Sequence, residues 1–598
     1  MVKKTYLCAF FLLTALLTIA PYHLNNKIKP VQAQNNPLKI VYPPDNHQTV
    51  APSIFLIGSA PENATVSVNG ATIDTSSQGF FAPSFPLEMG ANTFVVRSQN
   101  QTITKTITRT SNQPSQEDLR SLAPNLLYPS VDIARLPDEL VCFEAIAPKN
   151  AQVSVKLSQN TIPLNPTDTT VNLPPNYAVL TANNKPETIP SPHWATMKGC
   201  QKLTTVGNIE TPIFTMDYQG QTITQNQVGT IETLAPQNLR VIEVTASQGV
   251  ARTGPSTNHS RLTPLPQGTQ AQVTGIEGEW LRLDYGAWIR ENETRTLSIQ
   301  APPISNIRSV NSRTTANGTE IIFPLQNPVP ITIQQADDTF TFSLHNTIAQ
   351  TDTIRFDDNP LIRRLDWHQV TPTQIDYIFR LKTPQQWGFD VRYQGNNLIL
   401  TLNHPPTVQS TENLRGVTIL LDPGHGGDEL GAVGPNGYTE KEINLVMSKL
   451  IAQRLRSRGA EVILTREDDS FVSLGDRMAM IDQTKPTLAL SIHYNALPDA
   501  GDAINTKGVG MFWYHPQAHD LAIFLQDYLT TNLNRPSYGV FWNNLALTRP
   551  HTAPSLLLEL GFMINPEEFE WIINPQAQQE LADGVTNGVA QWLVSKTN

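Results

Sequence analysis

The hydrophobic rhythm of the chain changes once, at Gly416, and that change limits what it can fold into. Before Gly416 apolar residues come in short alternating runs punctuated by turns, as in Val66-Ser67-Val68-Asn69-Gly70 and Phe340-Thr341-Phe342-Ser343-Leu344. Period-two alternation marks strands with one buried face. After Gly416, Val417–Leu421 is a continuous apolar strand, and Ile443, Val446, Met447, Leu450, Ile451 and Leu455 recur at helical spacing until Gly459 supplies a stop. Further strands are read at 462–464, 488–492 and 555–560, and Leu581, Val585, Val589 and Trp592 mark a closing amphipathic helix. Strands alternating with helices predict a mostly parallel sheet covered by helices, with ligands bound outside the carboxyl ends of its strands. The fold class is therefore multidomain: several small all-β modules followed by a C-terminal α/β domain.

At 598 residues the chain is too long for one core, and the usual domain size suggests roughly four domains, strung like beads. Charged residues make up only 16% and the net charge is -10, which offers no basic footprint for nucleic acid. Lys3-Lys4 precede an apolar run from Leu7 to Ala20, too short to span a bilayer comfortably, and Val31-Gln32-Ala33 supplies a small-residue cleavage site. Residues 1–33 read as a signal peptide, with an uncleaved anchor as the alternative, so the chain is expected to be exported, periplasmic or wall-associated and to meet no membrane beyond that signal. Removing the leader leaves Cys142 and Cys200, which either bridge in an oxidising compartment or stay apart as buried thiols.

Four short runs in the C-terminal domain carry chemistry: Asp422-Pro423-Gly424-His425-Gly426-Gly427, Glu440-Lys441, Ser491-Ile492-His493-Tyr494-Asn495-Ala496 and Glu559-Leu560-Gly561-Phe562. His425 and His493 fall at or just past strand ends, and Glu440 opens the following helix, so the three can converge on a metal ion. Imidazole and carboxylate suit zinc, and three protein ligands leave one tetrahedral position to water. A Glu in a first helical turn also complements the helix dipole without any ligand role. Glu559 stands inside the apolar run Leu556–Leu560, where a carboxylate is costly to bury without a role. His515 and His519 form a rival pair at helical spacing, weakened by Pro516 and by the lack of a Glu between them. His551 reads as a surface histidine or a substrate contact, and Arg466, Arg477, Arg549 and Asn565 as scaffold or substrate contacts.

On these four runs, residues 416–598 resemble the zinc N-acetylmuramoyl-L-alanine amidases of bacterial cell walls, and the spacing of His425 and Glu440 agrees with that family. The resemblance implies His425, Glu440 and His493 as zinc ligands, Glu559 as general base, peptidoglycan as substrate and division-site or envelope proteins as partners. Some members carry a helical insertion that plugs the site. Here only the polar stretch Pro498–Lys507 follows the third ligand, so no plug is expected from that region, and any restraint would come from the N-terminal modules. A wall-binding scaffold that has lost activity and a zinc peptidase acting within the stem peptide are the alternatives.

The modules before Gly416 are bounded at 37–110, 118–236, 240–295 and 304–405. The first resembles bacterial immunoglobulin-like β-sandwiches through Val66–Gly70, Gly79-Phe80-Phe81 and Gly90-Ala91-Asn92, and the second is another β-rich module. The third resembles bacterial Src-homology-3-like barrels, which often hold cell-wall peptide, through Gly249–Ser256, Leu265-Pro266-Gln267-Gly268 and the paired Trp280 and Trp288. Those tryptophans serve either as barrel core or as ligand contacts. The fourth resembles, mostly by its position, the AMIN modules that dock such enzymes on peptidoglycan.

Overall fold

The computed structural model describes residues 37–597 except 112, 168–170, 173–186, 189–192, 208, 226–228, 300–302 and 357. The expected leader, 1–33, lies outside the described residues. The C-terminal domain consists of β1 (Thr418–Pro423), α1 (Glu440–Ser457), β2 (Glu461–Leu464), α2 (Leu474–Thr484), β3 (Leu488–Asn495), β4 (Val509–Trp513), α3 (His519–Asn532), β5 (Ser537–Trp542), β6 (Ser555–Phe562), α4 (Pro566–Ile572) and α5 (Pro575–Thr597). One six-stranded sheet runs in the order β2-β1-β3-β6-β4-β5. β1, β2, β3 and β6 are parallel; β4 pairs antiparallel with β6 and parallel with β5, so the sheet is mixed.

Strand alternation divides the core in two. Ile419, Leu421, Leu488, Leu490, Ile492, Leu556, Leu558 and Leu560 join the cluster that also holds Met447, Ile451, Leu525, Val585 and Trp592 from α1, α3 and α5. Leu420 and Ala489 face the other way, onto Ile481 of α2 and Leu547. Side chains two apart share a face, so Asp422, Ser491, His493, Leu557 and Glu559 all belong to the α2 side of the sheet. Pro498–Lys507, after β3, contains no helix.

The segments before Gly416 fold into strands with cores of their own, but they are not strung apart. Residues 37–110 form sheets around Leu38, Ile54, Leu56, Val66, Val68, Phe81, Val96 and Ile107. Cys142 and Cys200 face each other on paired strands and are joined by a disulfide. The expected border between 118–236 and 240–295 is crossed by hydrogen bonds: Ile133–Arg135 pairs antiparallel with Gln270–Glu277, and Ile231–Thr233 adds in parallel beyond it. An open sheet edge offers unpaired backbone groups that a neighbouring strand satisfies. Trp280 and Trp288 are buried at 6% and 7% exposure, with Arg290 over the first ring and Arg135 over the second. Residues 305–403 form a five-stranded and a four-stranded sheet around Phe323, Phe340, Phe342, Tyr377 and Leu400.

Among the described residues, 37–110 and 305–403 both pack on the C-terminal domain. Phe55, Ile57 and Ala82 share a cluster with Ala503, Phe562 and Ile564, and Phe80 meets Phe569 edge-on at 5.1 Å. His47 Nε2 lies 3.0 Å from Asp499 Oδ2, and Ser77 and the Gln78 N–H both donate to Glu570. On the other flank Trp387 packs on Trp592 at 5.4 Å, Phe389 N–H donates to the His551 carbonyl, and Lys485 pairs with Asp390 at 2.7 Å. Among the described residues no helix is long and apolar enough to cross a membrane.

Candidate metal centre and active site

The loop after β1, the start of α1 and the end of β3 bring His425, Glu440 and His493 together, with one ligand atom of each within 4.8 Å of the others. His425 follows β1 in the left-handed region, φ 61°, a conformation that costs a non-glycine residue about 1 kcal/mol or more and is kept only where the surroundings enforce it. Arg477 enforces it: its guanidinium donates to the carbonyls of Pro423 and His425, each at 2.7 Å, and to Asp422 Oδ1 at 2.6 Å. Asp422 is therefore a buried anchor, held also by Thr465 and Ser491. Arg466 donates to the Pro423 and Gly424 carbonyls. Both arginines are scaffold for the ligand loop.

Glu440 is the first residue of α1, whose start is fixed by the Glu442 carboxylate accepting from the Thr439 N–H and hydroxyl. Its side chain is 5% exposed and lies between the imidazoles, with Oε2 3.1 Å from His425 Nε2 and Oε1 2.9 Å from His493 Nδ1. The rings stand 5.0 Å apart at 77°. Glu440 also accepts from the Ala432 N–H at 2.8 Å, the Tyr494 N–H at 3.2 Å and Asn444 Nδ2 at 3.1 Å. Burial opposes its charge, but the hydrogen bonds from His425 and His493 outweigh burial and hold the carboxyl well below the usual range. For His425 burial likewise works against the charged ring, and the adjacent Glu440 carboxylate raises its pKa on balance. Two glycines make room: a Cβ on Gly424 would lie 2.2 Å from the His493 ring, and one on Gly431 2.5 Å from Glu440 Oε2.

Glu559 lies beside this cluster as the register partner of His493 across β3 and β6, on the same face. Its Oε2 is buried with no hydrogen-bond partner among the described residues. Burial, and then the Glu440 charge, push its pKa well above the ordinary carboxylate value. Two imidazoles, one ionised carboxylate and a second carboxyl with an unengaged oxygen make a donor set that fits a borderline divalent ion with one carboxyl left for proton transfer. The nearby cation Lys441 is taken up by Asp469 and the Gly427 carbonyl.

The other candidate residues lie elsewhere. His515 precedes α3 and bonds the Arg549 carbonyl at 2.8 Å, while His519 stacks on Trp513 at 4.2 Å, so the rival pair does not share a site. His551 is not a surface residue: it is 7% exposed, stacked on Phe389. Asn565 caps α4 and holds the loop after β3 through the carbonyls of Ala503 and Ile504. Sequence reasoning missed Asn444, fully buried and bonded to both Glu440 and the Gly424 carbonyl. Its position one helical turn after Glu440 was the available signal.

Residues 419–591 match the family model described as N-acetylmuramoyl-L-alanine amidase. The chain is 33% identical over 194 residues to the uncharacterized protein YqiI of Bacillus subtilis (strain 168), across 32% of this chain and 93% of that one. It is also 33% identical over 198 residues to a Staphylococcus epidermidis protein named "Probable cell wall amidase LytH", across 32% of this chain and 65% of that relative's length. Among solved structures it is similar to the N-acetylmuramoyl-L-alanine amidase from Clostridium difficile 630, at 30% identity and a TM-score of 0.29, covering 30% of this chain and 98% of that one.

Proposed function

Because the chain belongs, through residues 419–591, to the N-acetylmuramoyl-L-alanine amidase family of enzymes, we propose that it is a zinc enzyme cutting peptidoglycan between the lactyl group of N-acetylmuramic acid and L-alanine. The observation that supports this reading is the meeting of His425, Glu440 and His493 beside Glu559 on the neighbouring strand. Those three residues would hold the ion, which when bound lowers the pKa of water in the site and draws charge from the scissile carbonyl.

The remaining work falls to the protein. Ala432 N–H, Tyr494 N–H and Asn444 fix the Glu440 carboxylate, and Arg477 fixes the backbone that aims His425. Glu559 takes a proton from the attacking water and gives it to the departing amine. One carboxyl within reach of both atoms serves first as base and then as acid.

The disulfide between Cys142 and Cys200 supports a place outside the reducing cytoplasm, in the periplasm or wall, where the enzyme would serve wall remodelling or cell separation. The test is release of soluble fragments from dye-labelled purified sacculi. The full chain should release dye, a chelator should abolish release and added zinc should restore it. Release that persists after complete metal removal contradicts the reading.

A further inference from the structure

Tyr538 stands on the side of Glu559 away from the metal ligands. β4 runs against β6, so its start, and with it the start of β5, lies at the sheet end that carries His493 and Glu559. Gly510 of β4 is the register partner of Glu559, and directly opposed residues share a face. β5 meets β4 with one extra residue: Val509 is opposite Ser537 but Gly510 is opposite Gly539, so Tyr538 and Gly539 together face Gly510. Such bulges re-aim a side chain. Gly539 has φ 140°, which favours glycine, and a Cβ on Gly510 would lie 3.2 Å from Tyr538 Cδ1. The phenol ring therefore lies over Gly510, on the face of Glu559 and one strand spacing, about 4.8 Å, from its strand.

The surroundings fix the ring and leave its hydroxyl. Phe562 meets it edge-on at 4.9 Å and 74°, and Phe541 lies at 5.2 Å and 44°. It also packs on the cluster that holds Phe55 and Ile57 of the N-terminal segment. Tyr538 is nevertheless partly exposed, and among the described residues its hydroxyl makes no hydrogen bond. Glu559 is close enough for its charge to act on it. Burial first, and then that charge, push the phenol up to about 12, so it stays a donor at neutral pH.

Across this face the order is a metal ligand on β3, the proposed base on β6 and an unengaged O–H over β4. On the amidase reading, water attacks between the metal and Glu559, and the departing amine has to reach Glu559. The chain that begins with that amine then lies on the Tyr538 side, and its backbone offers carbonyl acceptors. We propose that the Tyr538 hydroxyl donates a hydrogen bond to a backbone carbonyl of the stem peptide, on the leaving side of the scissile bond, and so holds the peptide in register with Glu559. The proposal rests on that reading and adds to it a substrate contact outside the metal centre.

The test is steady-state hydrolysis of a soluble muropeptide, one disaccharide with one stem peptide, by the metal-loaded full chain and by Tyr538→Phe, which removes the hydroxyl and keeps the ring. Metal content and melting temperature should match those of the native chain. The carbonyl is remote from the reacting atoms, so the hydrogen bond counts equally in the ground and transition states: KM should rise about three- to tenfold with kcat unchanged. Free stem peptide, added as an inhibitor, should lose potency against Tyr538→Phe by the same factor, and N-acetylmuramic acid should lose none. An unchanged KM, a fall in kcat alone, peptide inhibition that is absent or equal for the two chains, or a loss confined to the sugar overturns the proposal. In each of those cases the native chain still cuts, and the amidase reading stands. A native chain that leaves the muropeptide intact with its metal bound removes both.

Discussion

Glu440 does two jobs at once: it carries the negative charge of the ligand cluster, and it is the point at which backbone, Asn444 and both imidazoles meet. Replacing Asn444 by Ala removes one hydrogen bond to that carboxylate and one to the Gly424 carbonyl. Metal affinity should fall roughly 10- to 100-fold, as for other residues that orient ligands, measured by competition with a fluorescent chelator. Glu559→Gln keeps the shape and removes the proposed base. Cleavage of sacculi should fall by a factor on the order of 100 to 10,000, while metal content by mass spectrometry stays at that of the unaltered chain. At this scale the sequence was readable where chemistry is written in residue type: His425, Glu440 and His493 near element ends, and Glu559 within an apolar strand. It was unreadable where the role depends on the third dimension. Nothing in Arg477 announces that it pins the His425 carbonyl from 52 positions away, and His551 reads as surface until Phe389 is laid on its ring.

Among the elements, the strand and helix alternation after Gly416 was legible because each apolar run is long and its period clear. The direction of β4 was not. Val509–Trp513 is buried almost throughout, and a continuous apolar run looks the same whichever way it points. The alternation that predicts strands before Gly416 was also legible, but it does not say which edges will join, so the pairing of Ile133–Arg135 with Gln270–Glu277 stayed hidden. One junction between segments carries a pH signature. His345, the last residue of the strand Thr339–His345, stacks on Tyr285 at 4.6 Å, and burial pushes its pKa down to about 4, against a smaller upward pull from Asp376. The folded state thus prefers the neutral ring. Above the unfolded pKa near 6.5 both states are neutral and nothing is lost. As the pH falls from about 6.5 towards 4 the unfolded chain takes up a proton that the folded one refuses, and stability declines by at most about 3 kcal/mol. Urea titrations between pH 7 and 4 should show that loss in the native sequence and a smaller one in His345→Gln; equal losses would remove His345 as the cause.

At the scale of the whole molecule, the expectation of beads on a string gives way to modules packed against the enzyme. Ile54-Phe55-Leu56-Ile57 held the missed clue: all four are at most 2% exposed, because Ile54 and Leu56 face their own core while Phe55 and Ile57 face Phe562 and Ile564 just beyond Glu559. A run without alternation in an otherwise alternating segment means both faces are covered. A chain lacking residues 37–110 should therefore melt at a lower temperature and cut sacculi more slowly, since Phe562, Ile564 and Phe569 lose their cover. A truncated chain far more active than the full one would instead make the N-terminal segment a restraint. The proposed activity is defined by which bond is broken, and mass spectrometry of the products released from purified sacculi reads this directly. Intact stem peptides beside free muramic lactyl ends are predicted; shortened stems, or no products from a chain with its metal bound, would contradict it.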